Sequence, residues 1–205
     1  MLDSKIRPYI DPPLNRLAKY LSRFGVTANI VTVIGFIFAL CCFVALSFGA
    51  YGVAILFIIL NRLMDGLDGP ISRQTSATDL GGYLDIVFDC IFYSGTIFFF
   101  ALGADDGTKY TALAAAFLIF SFMGAGTSFL AYAIVAAKRG ENHEEQCKKS
   151  FFYAQGLAEG TETIISLLLI CFFPHNFIVI AYVFGVVCWL TTAGRIMMAC
   201  NSFKE

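Results

Sequence analysis

The sequence predicts an all-α, polytopic membrane protein: six transmembrane helices in a single domain spanning 1–205, with 1–25 forming an amphipathic juxtamembrane segment. Three observations predict it. Of 205 residues, 58% are hydrophobic and only 14% are charged, whereas a soluble domain carries about 25% charged residues. Apolar runs recur through the chain, each close to the ~20 residues a helix needs to cross the hydrocarbon layer. Short polar turns divide these runs. The net charge of −1 provides no basic domain for nucleic acid. Phe supplies 22 residues and Trp one, which favours bulky lipid-facing and packing surface over a Trp-rich interfacial belt.

The first element is expected over 12–24. Leu14, Leu17, Ala18 and Leu21 recur at helical spacing, with Asn15, Arg16, Lys19, Ser22 and Arg23 on the other side. This pattern reads as a helix lying in the membrane interface. Pro12 and Pro13 mark its start and Gly25 its end. The six spans follow at 28–48, 51–68, 82–102, 110–136, 152–173 and 176–199. The first is long enough to cross and is expected to remain attached, as a membrane helix and not a cleaved signal. Gly49 separates the first pair, the loop after the third span holds Asp105-Asp106-Gly107, and Pro174-His175-Asn176 separates the last pair. Turns this short dictate antiparallel neighbours.

The basic residues orient the helices. Lys5, Arg7, Arg16, Lys19 and Arg23 precede the first span. Arg73 follows the second, Lys138, Arg139, Lys148 and Lys149 follow the fourth, and Arg195 and Lys204 close the chain. With six spans all of these share one side, and the opposite loops carry Lys109 alone. Both termini and the 69–81 loop are therefore expected to face the cytoplasm. Cys41, Cys42, Cys90, Cys171, Cys188 and Cys200 lie in or beside apolar runs and read as small buried hydrophobes. Cys147, Glu141, His143, Glu144 and Glu145 belong to a polar loop whose charges are expected to face water.

The stretch 61–89 carries the chemistry: NRLMDGLDGPISRQTSATDLGGYLDIVFD. Asp65 and Asp68 are three apart and share one face of the second span. Asp85 and Asp89 are four apart on one face of the third. The turn between the spans is short, so the four carboxylates converge at one end. A charge at the centre of a membrane helix costs about 2.5–3.5 kcal/mol on insertion scales. Acids near an end cost less but still repel one another, and divalent cations between them would relieve the repulsion. Hard oxygen ligands point to magnesium, manganese or calcium, not zinc. A divalent cluster beside Arg73 points to a phosphate-containing substrate. Gly66, Gly69, Gly81 and Gly82 would let a bulky ligand approach the backbone. Pro70 removes a helical donor just after Asp68.

These residues resemble the signature of the class I CDP-alcohol phosphotransferases, D-x2-D-G-x2-A-R followed by seven or eight residues and G-x3-D-x3-D. Here it reads Asp65, Asp68, Gly69 and Arg73, then seven residues to Gly81, then Asp85 and Asp89. The alanine of the motif is Ser72. The resemblance covers nearly the whole chain and implies transfer of a substituted phosphoryl group from a CDP-linked donor to an alcohol, with release of CMP. In lipid synthesis the usual donor is CDP-diacylglycerol. The resemblance also implies Mg2+ or Mn2+ at Asp65, Asp68 and Asp85, with Asp89 both a metal neighbour and the general base. Asp68, Gly69, Arg73 and Gly81 would surround the nucleotide and pyrophosphate. Val26-Thr27-Ala28-Asn29 resembles the family's P-N-x-[LV]-T start of the first span, which would bring Asn29 to the cytidine. A homodimer in a bacterial inner membrane is implied by resemblance alone.

For the acceptor, Glu159 and Glu162 share a face at the start of the fifth span, and Arg195 lies toward the same side in the sixth. Two readings stay open. The carboxylates would attract a cationic acceptor, or Arg195 with Arg139 would hold an acceptor phosphate. A Glu159–Arg195 pair that merely joins the last two helices is the plainer option. The G-L-x-E-G-T-E-T run resembles an inner-membrane branch of the family. A cation-coupled transporter using the aspartates as ion ligands is the competing function class, and a binding protein without activity is a third. Transporters pair broken segments in related halves, whereas here the polar groups gather in one half of the chain.

Overall fold

A computed structural model describes residues 3–75, 77–104, 108–139 and 157–203, with side chains from residue 8 onward. It is all-helical: among the described residues there is no strand. The helices are α1 (Asp3–Arg23), α2 (Ala28–Ser47), α3 (Tyr51–Ser72), α4 (Asp79–Gly103), α5 (Lys109–Lys138), α6 (Gly160–Phe172) and α7 (Phe177–Ser202). A 3-10 turn, Pro174–Asn176, leads into α7.

Helix α1 corrects the expected start at Pro12-Pro13, because it begins at Asp3 and runs through Pro8, Pro12 and Pro13. Prolines 12 and 13 cannot donate to the carbonyls of residues 8 and 9. All four of these residues are exposed, so water can take the freed carbonyls. The apolar face of α1 docks on protein: Ala18 is fully buried in a cluster with Val31, Leu67 and Ile71, flanked by Leu14 and Leu21. Leu17, from the same expected stripe, is exposed together with Tyr20 and Phe24.

Contacts along the other helices set their directions. Gly49 adopts φ 66°, a left-handed turn that favours glycine, and reverses the chain between α2 and α3. Thr32 then meets Asp68, Gly35 meets Asn61, and Cys42 meets Ala54, an antiparallel pair. Phe36 stacks on Phe88 and Phe43 on Phe99, so α2 and α4 run parallel. Phe117 meets Tyr182 and Phe120 meets Trp189, so α5 and α7 are parallel too. At the start of α6, the Ala158 N–H donates to Thr191 Oγ1 of α7 at 2.9 Å. This alternation brings the start of α2, the end of α3, the start of α4, the end of α5, the start of α6 and the end of α7 to one end of the bundle.

Four helices are long and apolar enough to cross a membrane: Ala28–Ser47, Asp79–Gly103, Lys109–Lys138 and Pro174–Ser202. The other two expected spans are less apolar or shorter. Tyr51–Ser72 carries Asn61, Arg62, Asp65 and Asp68. Gly160–Phe172 has 13 residues, about 20 Å of helix at 1.5 Å per residue, and residues 152–156 of the expected span lie outside the described residues. The main core joins Cys42, Phe43, Leu46, Ile58, Phe92, Phe100, Leu118 and Ile170. Cys42, Cys171 and Cys188 are buried, as expected of small hydrophobes. Cys90 and Cys200 are exposed instead, because their helices turn those positions outward. Cys147, His143 and the acidic loop around it lie outside the described residues.

Candidate active site

Three helices converge on the acidic cluster. Helix α3 carries Asp65 and Asp68 one turn apart, α4 carries Asp85 and Asp89 one turn apart, and α2 lies against both. One oxygen each from Asp65, Asp68 and Asp85 lies within 4.8 Å of the others. Two carboxylate charges at such a distance repel by about 3–4 kcal/mol at an effective dielectric constant of about 20. The donor set fits a hard divalent cation. Oxygens on opposite sides of one ion are about 4.0–4.2 Å apart for magnesium and about 4.6–5.2 Å apart for calcium. The spread observed in the cluster is within a side-chain adjustment of either.

These three aspartates line an open cleft with Asp89, Thr32, Asn61 and Arg62. Phe36 and Phe88, stacked 4.1 Å apart, form its apolar wall. The Thr32 hydroxyl lies 3.0 Å from Asp68 Oδ2 and 3.1 Å from the Ala28 carbonyl, and can donate to either.

Asp89 lines the same cleft but is not one of the three gathered oxygens. Its Oδ1 accepts from Arg62 Nη2 at 2.7 Å, and its Oδ2 faces the Tyr93 hydroxyl at 3.5 Å. Arg62 Nη1 reaches Tyr93 Oη at 2.8 Å and Asp65 Oδ2 at 3.3 Å, and Nε donates to Asn61 Oδ1 at 2.8 Å. Asn61 is buried and donates through Nδ2 to the Gly35 carbonyl at 2.8 Å. Arg62, Asn61, Thr32 and Tyr93 lie outside the aspartate motif and are brought to it by the packing of the helices. Arg62 had a usable signal: a cation inside an otherwise apolar helix, three residues before Asp65.

Arg73 and Gly69 lie just beyond the cleft at the end of α3. The Arg73 N–H donates to the Gly69 carbonyl at 3.2 Å. A Cβ on Gly69 would sit 3.7 Å from Arg73 Nη1, so the guanidinium folds back over that glycine. Gly81 lies in the first turn of α4, where its N–H donates to Thr78 Oγ1 at 3.1 Å. A Cβ there would sit 2.5 Å from Asn29 Oδ1, and Thr78 Oγ1 itself donates to Asn29 Oδ1 at 3.3 Å. Asn29 and Gly81 are thus brought together at the same end as the aspartates.

The expected acceptor residues sit at that end of the bundle but do not line this cleft. Arg195 Nη1 donates to the Ala125 carbonyl at 2.8 Å, and its guanidinium lies 5.3 Å from the centre of the Phe129 ring. Arg139 donates to the Phe203 carbonyl at 3.2 Å and covers the Phe203 ring at 5.0 Å. Glu159 occupies the residue before α6 without a side-chain bond to its first turn, and Glu162 lies in that turn with Oε2 buried.

The family model of the CDP-alcohol phosphatidyltransferases matches residues 25–197. The chain belongs to this family. An inner membrane protein of Escherichia coli, YnjF, is 42% identical over 205 residues, all of this chain and 98% of that protein. The archaetidylinositol phosphate synthase of Pyrococcus horikoshii is 32% identical over 147 residues, 67% of this chain and 76% of that enzyme. A CDP-alcohol phosphatidyltransferase is a transferase of phospholipid head-group chemistry, so membership favours group transfer over ion coupling. The apolar helices and the inner-membrane relative agree in making this an integral membrane protein.

Proposed function

We propose that this CDP-alcohol phosphatidyltransferase moves a phosphatidyl group from CDP-diacylglycerol to the hydroxyl of a small alcohol and releases CMP. The observation that carries the reading is the convergence of Asp65, Asp68 and Asp85, with Asp89 held beside them by Arg62. Asp65, Asp68 and Asp85 would hold Mg2+ or Mn2+, with Asp89 as a metal neighbour. Such ions, when bound, neutralise the donor's pyrophosphate and the charge that develops on it. Arg73, folded over Gly69, adds a guanidinium at the pyrophosphate side. Asn29 and Gly81 border the nucleotide.

Asp89 is the catalytic residue of the proposal. It accepts the proton from the acceptor hydroxyl as the new oxygen–phosphorus bond forms and the bond to CMP breaks. The lipid chains remain among the apolar helices while cytidine sits at the aqueous end of the cleft. In this reading α2 to α7 all cross the bilayer and α1 lies in the interface, with Tyr20 and Phe24 turned outward. Both termini and the cleft face the cytoplasm, and the protein works as a homodimer. Arg195, Arg139, Glu159 and Glu162, at the same end of the bundle but outside the cleft, would meet the part of the acceptor that extends away from its reacting hydroxyl. The archaetidylinositol phosphate synthase relative supports including a phosphorylated polyol among the acceptors tried.

The test is CMP release by purified protein given CDP-diacylglycerol and Mg2+ or Mn2+, with glycerol 3-phosphate, serine, inositol phosphate and lipid alcohols offered in turn. Acceptor-dependent CMP release with formation of the matching phospholipid is expected. No CMP from any acceptor, with either metal, refutes the proposal.

A further inference from the structure

Among the described residues lining the cleft, Arg62 is the only cation. Its side chain is 10% exposed and bridges two carboxylates, Asp89 at 2.7 Å and Asp65 at 3.3 Å. The guanidinium is packed 4.6 Å from the centre of the Phe92 ring and 5.1 Å from that of Tyr93. Asn61 Oδ1 accepts a hydrogen bond from its Nε–H and is itself anchored through Nδ2 to the Gly35 carbonyl. A guanidinium flanked by aromatic faces and bonded through Nε and both Nη atoms has little freedom to swing away. Arginine also keeps its charge under all working conditions.

We propose that Arg62 is a resident cation that divides the four aspartates into two functional parts. It takes Asp89 and shares Asp65, which leaves Asp65, Asp68 and Asp85 as a three-oxygen set for one divalent ion before the donor arrives. At the same time it orients Asp89 toward the acceptor. Counted as ionised, four carboxylates and one guanidinium sum to −3, which one divalent ion reduces to −1. Without Arg62 the same cluster stands at −4 and would accommodate two. Arg62 is therefore a positioning residue: it acts through Asp89 and through the charge it contributes beside the metal set. The inference rests on the proposed roles of Asp65, Asp68 and Asp85 as ligands and Asp89 as base.

The charge arithmetic gives Arg62 an unusual signature. Removing its charge should tighten divalent binding, because a neighbouring positive charge is lost, while slowing turnover, because Asp89 loses its orientation. A purely structural role would weaken both. The experiment titrates full-length protein in detergent with Mn2+, following free Mn2+ by its electron paramagnetic resonance signal, and measures CMP release in parallel. The parent chain should bind one Mn2+ without donor. Arg62→Gln should bind Mn2+ about tenfold more tightly or take up a second ion, with kcat reduced and the acceptor KM little changed. Arg62→Lys, which keeps the charge but not the fork, should remain at one Mn2+ and recover part of kcat.

Two Mn2+ in the donor-free parent overturn the inference, as does folded Arg62→Gln with unchanged or weaker Mn2+ affinity. Should Arg62→Gln fail to fold, parent stoichiometry and Arg62→Lys decide, and two Mn2+ in Arg62→Lys overturn it. Parent protein that releases no CMP from CDP-diacylglycerol counts against the proposed reaction, whatever its Mn2+ stoichiometry.

Discussion

Replacing Asp89 by Asn separates chemistry from folding at this site. The substitution keeps the side-chain volume and keeps Oδ1 as an acceptor for Arg62 Nη2, now at 2.7 Å. What disappears is the negative charge and, with it, the ability to take a proton. A charged hydrogen bond contributes about 1.5–3 kcal/mol and a neutral one about 0.5–1.5 kcal/mol. The difference is about 1 kcal/mol. Because the Asp89 side chain is 31% exposed, solvent screens the charge and reduces that figure further. Loss of a general base costs about 10²–10⁴ in rate, or about 3–5 kcal/mol on the barrier. The effect on transfer should therefore exceed the effect on stability several-fold. CMP release at saturating donor and acceptor reads the first, and thermal unfolding in the same detergent reads the second. Transfer by Asp89→Asn at the parent rate would refute the base assignment. So would a stability loss large enough to account for the missing activity.

Further perturbations follow from the same geometry. Gly81→Ala drives a Cβ to 2.5 Å from Asn29 Oδ1 and should displace Asn29. The expected result is a raised KM for the CDP-linked donor with kcat less affected, and an unchanged donor KM contradicts the nucleotide role. Thr32→Val removes the hydroxyl 3.0 Å from Asp68 Oδ2, a loss of about 1 kcal/mol. The Mn2+ concentration giving half-maximal CMP release should rise several-fold. Gly185→Val places a Cβ 2.5 Å from Phe117 Cε1, and overpacking of this kind costs about 1–3 kcal/mol. The melting temperature should fall, while residual folded protein keeps its Mn2+ stoichiometry. Chelation of divalent ions should abolish CMP release, and Mg2+ or Mn2+ added in excess should restore it.

Much of the site was legible because its determinants are local. Three- and four-residue spacings put Asp65 with Asp68 and Asp85 with Asp89 on single helix faces, whatever the surrounding fold. The short link from Ser72 to Asp79 then forces the two helix ends together. Among the described residues each of the six expected spans overlaps a helix, α2 to α7, of which four are long and apolar enough to cross a membrane, because hydrophobic runs and Gly or Pro punctuation are also local. Helix α1 shows the limit. Pro12-Pro13 reads as a start signal, yet the helix continues through both prolines, where exposure keeps the freed carbonyls accessible to water.

By itself, the sequence determined the all-helical membrane class, the family signature and the pairing of carboxylates on each helix. Tertiary structure alone decided their partners. Asp89 belongs to Arg62, 27 residues away in the chain, only because α3 and α4 both pack along α2, one antiparallel and one parallel to it, which brings those two turns level. Arg139 donates to the Phe203 carbonyl just past the end of α7, and Arg195 to the Ala125 carbonyl of α5, because α5 and α7 pack side by side in parallel. Periodicity says which face of a helix a side chain occupies. Which neighbour that face meets depends on how the helices pack, and no spacing along one helix contains that information.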